Sequence, residues 1–409
     1  MIKKPIPLYP TFENLKSMQL LEYKNIISLL KEPWHKEHWS WGKSFLEYVG
    51  RNKSKNTYDR FRSEVERFLL WAIIVKDKQI TEYRKTDILE YADFCWNPPT
   101  NWIGTSNHER FCETGFHMES NPLWAPFTLQ NPKNNQAAKI DKKKYRPSQQ
   151  TLKSVFTAIT VFYNHLMDEE IAPGNPTQIA KKDCKHFIID AQVKEVKRLT
   201  DNQWNYLLET AQEMANLSPL YERHLFVVVC LKTLFLRISE LSEQTNWSPA
   251  MNHFWQDENE NWWLKIFGKG RKLRDVTVPP DFLEYLERYR LSRSLSTLPV
   301  SSDNCALVEK IRGTGGMSSR HLRRLVQEVF DSAYTRMLKK EGENKALKLK
   351  EASSHWLRHT GASMEVERGR PLKDISEDLG HASMATTDTI YVQTENIIRA
   401  ESGKARSVE

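Results

Sequence analysis

Toward its C-terminal end the chain reads His355-Trp356-Leu357-Arg358-His359-Thr360, then Leu379-Gly380-His381, then Thr386-Thr387-Asp388-Thr389-Ile390-Tyr391. Breaking a phosphodiester without a metal requires a nucleophile, positive charge to balance the developing phosphorane, an acid for the leaving 5′-hydroxyl, and a base or orienting group. Arginine suits the second task, because its planar fork grips two non-bridging oxygens and stays charged. A tyrosine nucleophile conserves the bond as a phosphotyrosyl ester, so strands can be rejoined without ATP. Arg237, Lys269, His355, Arg358, His381 and Tyr391 together match that inventory. The pattern outlines a site that cuts DNA with a tyrosine.

Reactive groups spread from position 237 to position 391 must be gathered by a fold. Three-residue spacing on a helix brings His355 and Arg358 to one face; by the same spacing His359 points elsewhere and is structural. Two strand-like runs, Trp262 to Ile266 and Asp275 to Val278, flank Gly268-Lys269-Gly270-Arg271-Lys272 and predict a β-hairpin with Lys269 at its turn. Thr200 followed by Gln203 resembles a capping box, and a helix is predicted over roughly 218–232. Upstream, Thr57 is the predicted cap of a helix whose apolar side is Tyr58, Phe61, Val65, Phe68, Leu69 and Ile73. A second helix begins at Thr86 and stops before Pro98-Pro99, and a third begins near Ser148. The predicted fold class is mainly α with a small β-hairpin or sheet.

The chain divides into an N-terminal extension (1–50), a helical domain (51–176) with an insertion at 97–146, a basic interdomain linker (177–199), a second domain (200–395) and a tail (396–409). In the extension, Trp34, His35, His38, Trp39 and Trp41 are better explained by aromatic packing than by a metal site. With 409 residues there is room for two or three domains, and 39% hydrophobic with 27% charged residues excludes a disordered chain. The net charge of +8 favours a polyanionic partner. Five cysteines at no metal-ligand spacing point to a reducing, cytosolic compartment. The longest relevant apolar stretch, Leu225 to Leu231, is far short of a membrane span, and the opening residues carry no signal-peptide pattern. Lys142, Lys143, Lys144, Arg146, Lys197, Arg198, Arg271 and Lys272 are the candidate phosphate contacts, with Arg274 assigned the same nonspecific role.

On these motifs the second domain resembles the catalytic domain of the tyrosine recombinases, or phage integrases, and the region from about 55 to 175 looks like the family's core-binding domain. The family's Arg-x-x-Glu-Leu motif is matched by Arg237-Ile238-Ser239-Glu240-Leu241, its hairpin lysine by Lys269, its His-x-x-Arg by His355 and Arg358, and its Leu-Gly-His by Leu379-Gly380-His381. The resemblance implies that Arg237 and Arg358 clamp the scissile phosphate, while Glu240 holds neighbouring groups in place. It further implies that Lys269 protonates the leaving 5′-oxygen, His355 assists proton transfer or bonds the phosphate, and His381 donates to a non-bridging oxygen. Tyr391 would be the nucleophile, forming a 3′-phosphotyrosyl link. It follows His381 by ten residues where the family usually has nine, the extra residue falling in the stretch from Ala385 to Asp388.

The resemblance implies a cytoplasmic, nucleoid-associated enzyme acting on double-stranded DNA recombination sites, with no metal or organic cofactor and no membrane. It also implies a homotetramer on paired sites, with a DNA-bending accessory factor as a further candidate partner. The extension and the insertion favour a mobile-element integrase over a housekeeping resolvase. The tail either docks on a neighbouring protomer or frays. Three alternatives stand beside this: a type IB topoisomerase relaxing DNA as a monomer, a resolvase or invertase acting within one molecule, and a DNA-binding protein with an inactive core.

Overall fold

The computed structural model describes residues 2–114, 117–130, 140–187, 197–245, 247–268, 272–381 and 403–404. Two compact units divide the chain, Met1–Ala191 and Gln192–Glu409.

The first unit carries the helices α1 (Phe12–Leu15), α2 (Lys24–Leu29), α3 (Pro33–Asn52), α4 (Lys55–Trp71) and α5 (Lys85–Trp96). The strands β1 (Ile103–Gly104), β2 (Phe111–Thr114), β3 (His117–Ser120) and β4 (Phe127–Thr128) follow, then α6 (Gln149–Asp168) and α7 (Thr177–Lys182). α4 is the central helix: from Glu64 to Ala72 every residue is buried, because α3 and α6 pack against it. Its cap is Ser54, whose Oγ accepts from the Thr57 amide, so the capping position lies three residues before the predicted Thr57. The helix predicted from Thr86 starts at Lys85 and ends at Trp96, and Ser148 caps α6 as its sequence implied.

The insertion is held down rather than loose. β1 pairs with β4 in parallel, and β2 pairs with β3 in an antiparallel hairpin. Glu66, almost fully buried on α4, accepts hydrogen bonds from the Leu8 and Tyr9 amides and from Arg110. One carboxylate therefore ties both the opening residues and the insertion to the central helix. Leu8, Tyr9, Phe45, Leu46 and Val49 share a core with Val65, Phe68 and Phe162. His35 and His38 pack against Trp34, and the His38 ring also meets Trp41 and accepts from the Ile80 amide. The start of the predicted linker lies on this unit: Ala180 and Cys184 are buried, and His186 stacks on Trp96 while bonding Asp93.

The second unit contains α8 (Asp201–Leu217), α9 (Glu222–Thr233), β5 (Phe254–Gln256), β6 (Trp262–Phe267) and β7 (Leu273–Val278). The helices α10 (Pro280–Leu291), α11 (Ser319–Glu341), α12 (Glu343–Glu351), α13 (Ser354–Glu367) and α14 (Leu372–Leu379) complete it. The Thr200–Gln203 capping box forms as predicted. The helix predicted over 218–232 begins at Glu222, after a 3-10 turn that Pro219 starts. α9 carries the run Leu225 to Leu231, every residue of it buried beneath α8, α10, α11 and α13. No helix among the described residues is long and apolar enough to cross a membrane. At Gly361 on α13 a Cβ would sit 1.8 Å from the Lys232 carbonyl oxygen, so only glycine allows the α9–α13 approach. The three strands form one antiparallel sheet in the order β5-β6-β7, with Phe267 opposite Leu273 where the predicted hairpin turns.

Removing the Glu66 side chain leaves Arg110 and two backbone amides without their acceptor. Glu66→Ala should therefore lower the stability of the first unit by about 3–5 kcal/mol, measured by urea unfolding. An unchanged midpoint would show that this carboxylate does not anchor the opening residues.

Candidate active site

α9 ends at Thr233, and the chain turns through Phe235, whose φ of +50° is rarely adopted by an aromatic residue. This turn aims the Phe235 carbonyl at Arg358 and brings Arg237 and Glu240 into a tight loop. The Arg237 amide donates to Glu240 Oε2 at 2.8 Å, and Arg237 Nη1 donates to Oε1 at 2.9 Å. Arg237 thus keeps part of its fork exposed while Glu240 is buried.

The hairpin supplies a second guanidinium to the same carboxylate. Arg274 on β7 donates from Nη1 to Glu240 Oε1 at 2.8 Å and from Nη2 to Oε2 at 3.0 Å, and its Nε donates to the Asp378 carbonyl at 3.0 Å. The nonspecific DNA role expected for Arg274 is therefore corrected: its fork is engaged inside the unit. Strand alternation carries the reason: β7 turns Arg274 inward with Val276 and Val278, while Leu273 and Asp275 between them are exposed, and Lys272 lies before the strand and is exposed.

The third guanidinium is Arg358 on α13, almost completely buried. It donates to the carbonyls of Phe235 and Leu379, and its Nη1 lies 3.9 Å from Glu240 Oε2. Burial, with repulsion from Arg237, outweighs the attraction of Glu240 and lowers the Arg358 pKa to about 9, still charged at neutral pH. Glu240 goes the other way: burial raises its pKa, but hydrogen bonding and charge from Arg274, with the Arg237 amide and Arg358, bring it below the usual value.

Three histidines complete the constellation. His355 is lowered by partial desolvation and by Arg358 and Arg237. His381, which follows the left-handed cap Gly380 of α14, is drawn to about 4 by burial and by Arg358, Arg237 and Arg274. His359, expected from its spacing to point elsewhere, is corrected: four residues after His355 it shares that helix face and stands edge-on to His355, ring centroids 4.4 Å apart, and burial with His355 and Arg358 lowers it to about 4. All three are neutral near pH 7 beside the charged arginines. This arrangement can hold an anionic phosphate between fixed cations while neutral imidazoles donate or accept protons.

Arg237, Glu240, His355, Arg358 and His381 are thus brought together. Lys269, Arg271 and Tyr391 lie outside the described residues. Of the expected phosphate contacts, Lys143, Lys144 and Arg146 are exposed and Lys142 half-buried on the first unit. On the second unit Lys197 and Lys272 are exposed, whereas Arg198 pairs with Glu367. Sequence inspection missed Arg274 as an internal ligand. It also missed Asp378, whose buried carboxylate accepts from the Thr277 amide, the Thr277 hydroxyl and Arg370. A third omission is the exposed row Arg320, Arg323 and Arg324 on α11, which its i, i+3, i+4 spacing behind the Ser318 cap would have revealed.

Residues 197–396 match the phage integrase family. A tyrosine recombinase XerC of Lactobacillus delbrueckii subsp. bulgaricus is 26% identical over 243 residues, covering 58% of this chain and 70% of that protein. The tyrosine recombinase XerC of Chlamydia caviae is 32% identical over 166 residues, covering 40% of this chain and 45% of that protein. The Tn1549 transposon integrase, solved in complex with transposon right end DNA, shares the fold with a TM-score of 0.53 at 14% identity, covering 90% of this chain and 99% of that one. The chain is homologous to the tyrosine recombinases and phage integrases. Its activity is site-specific cleavage and rejoining of DNA strands, and its fold is the mainly helical one expected, with small sheets.

An unfolded histidine takes up a proton near pH 6.5, whereas folded His359 and His381 do so only near 4. The stability tied to them is complete above about 6.5 and is lost as pH falls toward 4. His359→Gln should flatten the decline in melting temperature between those limits relative to the parent chain. Parallel curves would place the pH dependence elsewhere.

Proposed function

We propose that Tyr391 attacks the scissile phosphorus between Arg237 and Arg358, forming a 3′-phosphotyrosyl bond as the phosphorus–5′-oxygen bond breaks. Lys269 delivers a proton to the leaving 5′-oxygen, and His355 takes up the tyrosyl proton or bonds the phosphate. His381 donates to a non-bridging oxygen. Rejoining reverses these steps with an incoming 5′-hydroxyl, so no ATP is consumed and no cofactor is needed. The observation that carries this assignment is the pairing of Arg237 and Arg358 around one buried Glu240. It fixes two positive charges at one place, Arg237 partly exposed and Arg358 buried.

The substrate is double-stranded DNA bearing recombination sites, and the role is that of a mobile-element integrase in the cytoplasm, at the nucleoid. Four copies on paired sites, cutting in pairs with help from a DNA-bending factor, is the assembly we favour. The row Arg320, Arg323 and Arg324 lies along one exposed helix face, with Arg324 3.6 Å from Glu328, and is suited to phosphates or to guanine edges in a major groove. Lys143, Lys144, Arg146, Lys197 and Lys272 are exposed cations suited to backbone contact, as is Arg271 by its sequence. Lys142 is half-buried and Arg198 is ion-paired, so each has less charge to offer.

Incubation with nicked duplex carrying the element's end sequence should give a covalent DNA–protein band on a denaturing gel, absent for Tyr391→Phe. Arg358→Lys should bind the same DNA yet form adduct about 10²–10³-fold more slowly, with circular dichroism confirming its fold. Tight binding without adduct from the parent chain would reject the assignment. Arg323→Ala should weaken binding and lower the slope of log affinity against log salt by about one if that residue meets a phosphate. An unchanged slope would remove it from the backbone contacts.

A further inference from the structure

Two neighbouring elements are fastened together beside the arginine clamp by groups that the proposed chemistry does not use. β7 is bonded to the end of α14 at two points: Arg274 Nε reaches the Asp378 carbonyl, and the Asp378 carboxylate accepts from the Thr277 amide at 3.0 Å and hydroxyl at 2.7 Å. Arg370 neutralises the same carboxylate at 2.6 Å. The Arg274 side chain is only 12% exposed and lies between two glycines. A Cβ at Gly268 would come within 2.8 Å of Arg274 Nη1, and one at Gly380 within 2.8 Å of its Cδ. Gly268 immediately precedes the hairpin turn, and Gly380 immediately precedes His381. The chain thus leaves room for one guanidinium where the hairpin, the Arg237–Glu240 loop and the segment entering His381 converge.

We infer that Arg274 and Asp378 are positioning residues for strand cleavage: they lock β7 to the helix ending at His381 and hold Glu240 where it orients Arg237. Neither touches DNA. The bidentate grip on Glu240 occupies the Arg274 fork, so Glu240 remains free to set Arg237 without rotating away. This inference rests on the site assignment above.

The test compares Arg274→Lys, Arg274→Gln and Asp378→Asn in the full chain. Lysine keeps the charge but cannot bridge two carboxylate oxygens and a carbonyl at once. Adduct formation on the nicked duplex at saturating DNA should slow by about 10–100-fold in Arg274→Lys, the range typical of outer partners that orient a reactive group. Its DNA affinity and salt slope should stay as in the parent. A phosphate contact would give the opposite result, a weaker affinity with a slope lower by about one and an intact saturated rate, and would overturn the inference.

The pH profile separates positioning from a general loss of structure. Glu240 faces Arg237 in its own loop, Arg274 from β7 and Arg358 from α13, with His355 and His381 beyond. Arg274→Gln removes one of those charges, so the acid limb of the cleavage rate should move to higher pH, while Arg274→Lys leaves it nearer the parent. An Arg274→Gln rate lowered equally at every pH, with the acid limb unmoved, would overturn the positioning role. Hydrogen exchange of residues 273–278 reads the lock without catalysis: Asp378→Asn should exchange faster there, and parental exchange would overturn the lock. Should the parent chain itself form no adduct, the site assignment fails and this exchange measurement alone decides the inference.

Discussion

The second unit depends on one buried carboxylate. Glu240 accepts four hydrogen bonds, two from Arg237 and two from Arg274, and has Arg358 within 3.9 Å. Removing a carboxylate from water is costly, and a single ion pair often fails to compensate. Here all its main acceptor directions are filled and three guanidiniums surround it, so its ionised form is secured below the usual carboxylate pKa. Because these guanidiniums come from the loop after α9, from β7 and from α13, the carboxylate fixes the relative placement of elements far apart in sequence.

The first unit uses the same physics without the chemistry. Glu66 faces two backbone amides and Arg110, and it too joins distant segments, the opening residues and the insertion, to one central helix. The contrast lies in the charge balance. Glu66 meets one guanidinium among its hydrogen-bond donors, whereas Glu240 stands among three. The first carboxylate closes a structural contact. The second leaves cationic charge over.

What could be read from the sequence follows from this difference between local and convergent information. The Arg237–Glu240 spacing, the His355–Arg358 spacing, the Thr200 capping box and the β6–β7 hairpin are local patterns, and each has the predicted form. Cap choice at Ser54 rather than Thr57 is a matter of three residues, decided by which hydroxyl precedes the first helical turn. Arg274 could not be told from its basic neighbours, because its role depends on which way a strand turns it and on Glu240 and Asp378, each distant in sequence. Asp378 looked like an ordinary helix acid for the same reason. The insertion read as a loop because its paired segments are only two to four residues long, too short to show a strand period.

The surplus charge explains why the neutral histidines matter to the proposed reaction. Among the described residues, three guanidiniums against the one carboxylate of Glu240 leave two positive charges. A phosphodiester brings one negative charge and its phosphorane two, so the site is closer to balance in the transition state than with bound DNA. Burial, aided by the same field, favours the neutral form of His355 and His381. Added imidazolium charge would favour tight binding of the ground-state phosphate as much as its transformation. Neutral rings add no charge to that of the arginines and remain able to exchange protons, which directs the electrostatic stabilisation toward the step in which negative charge accumulates.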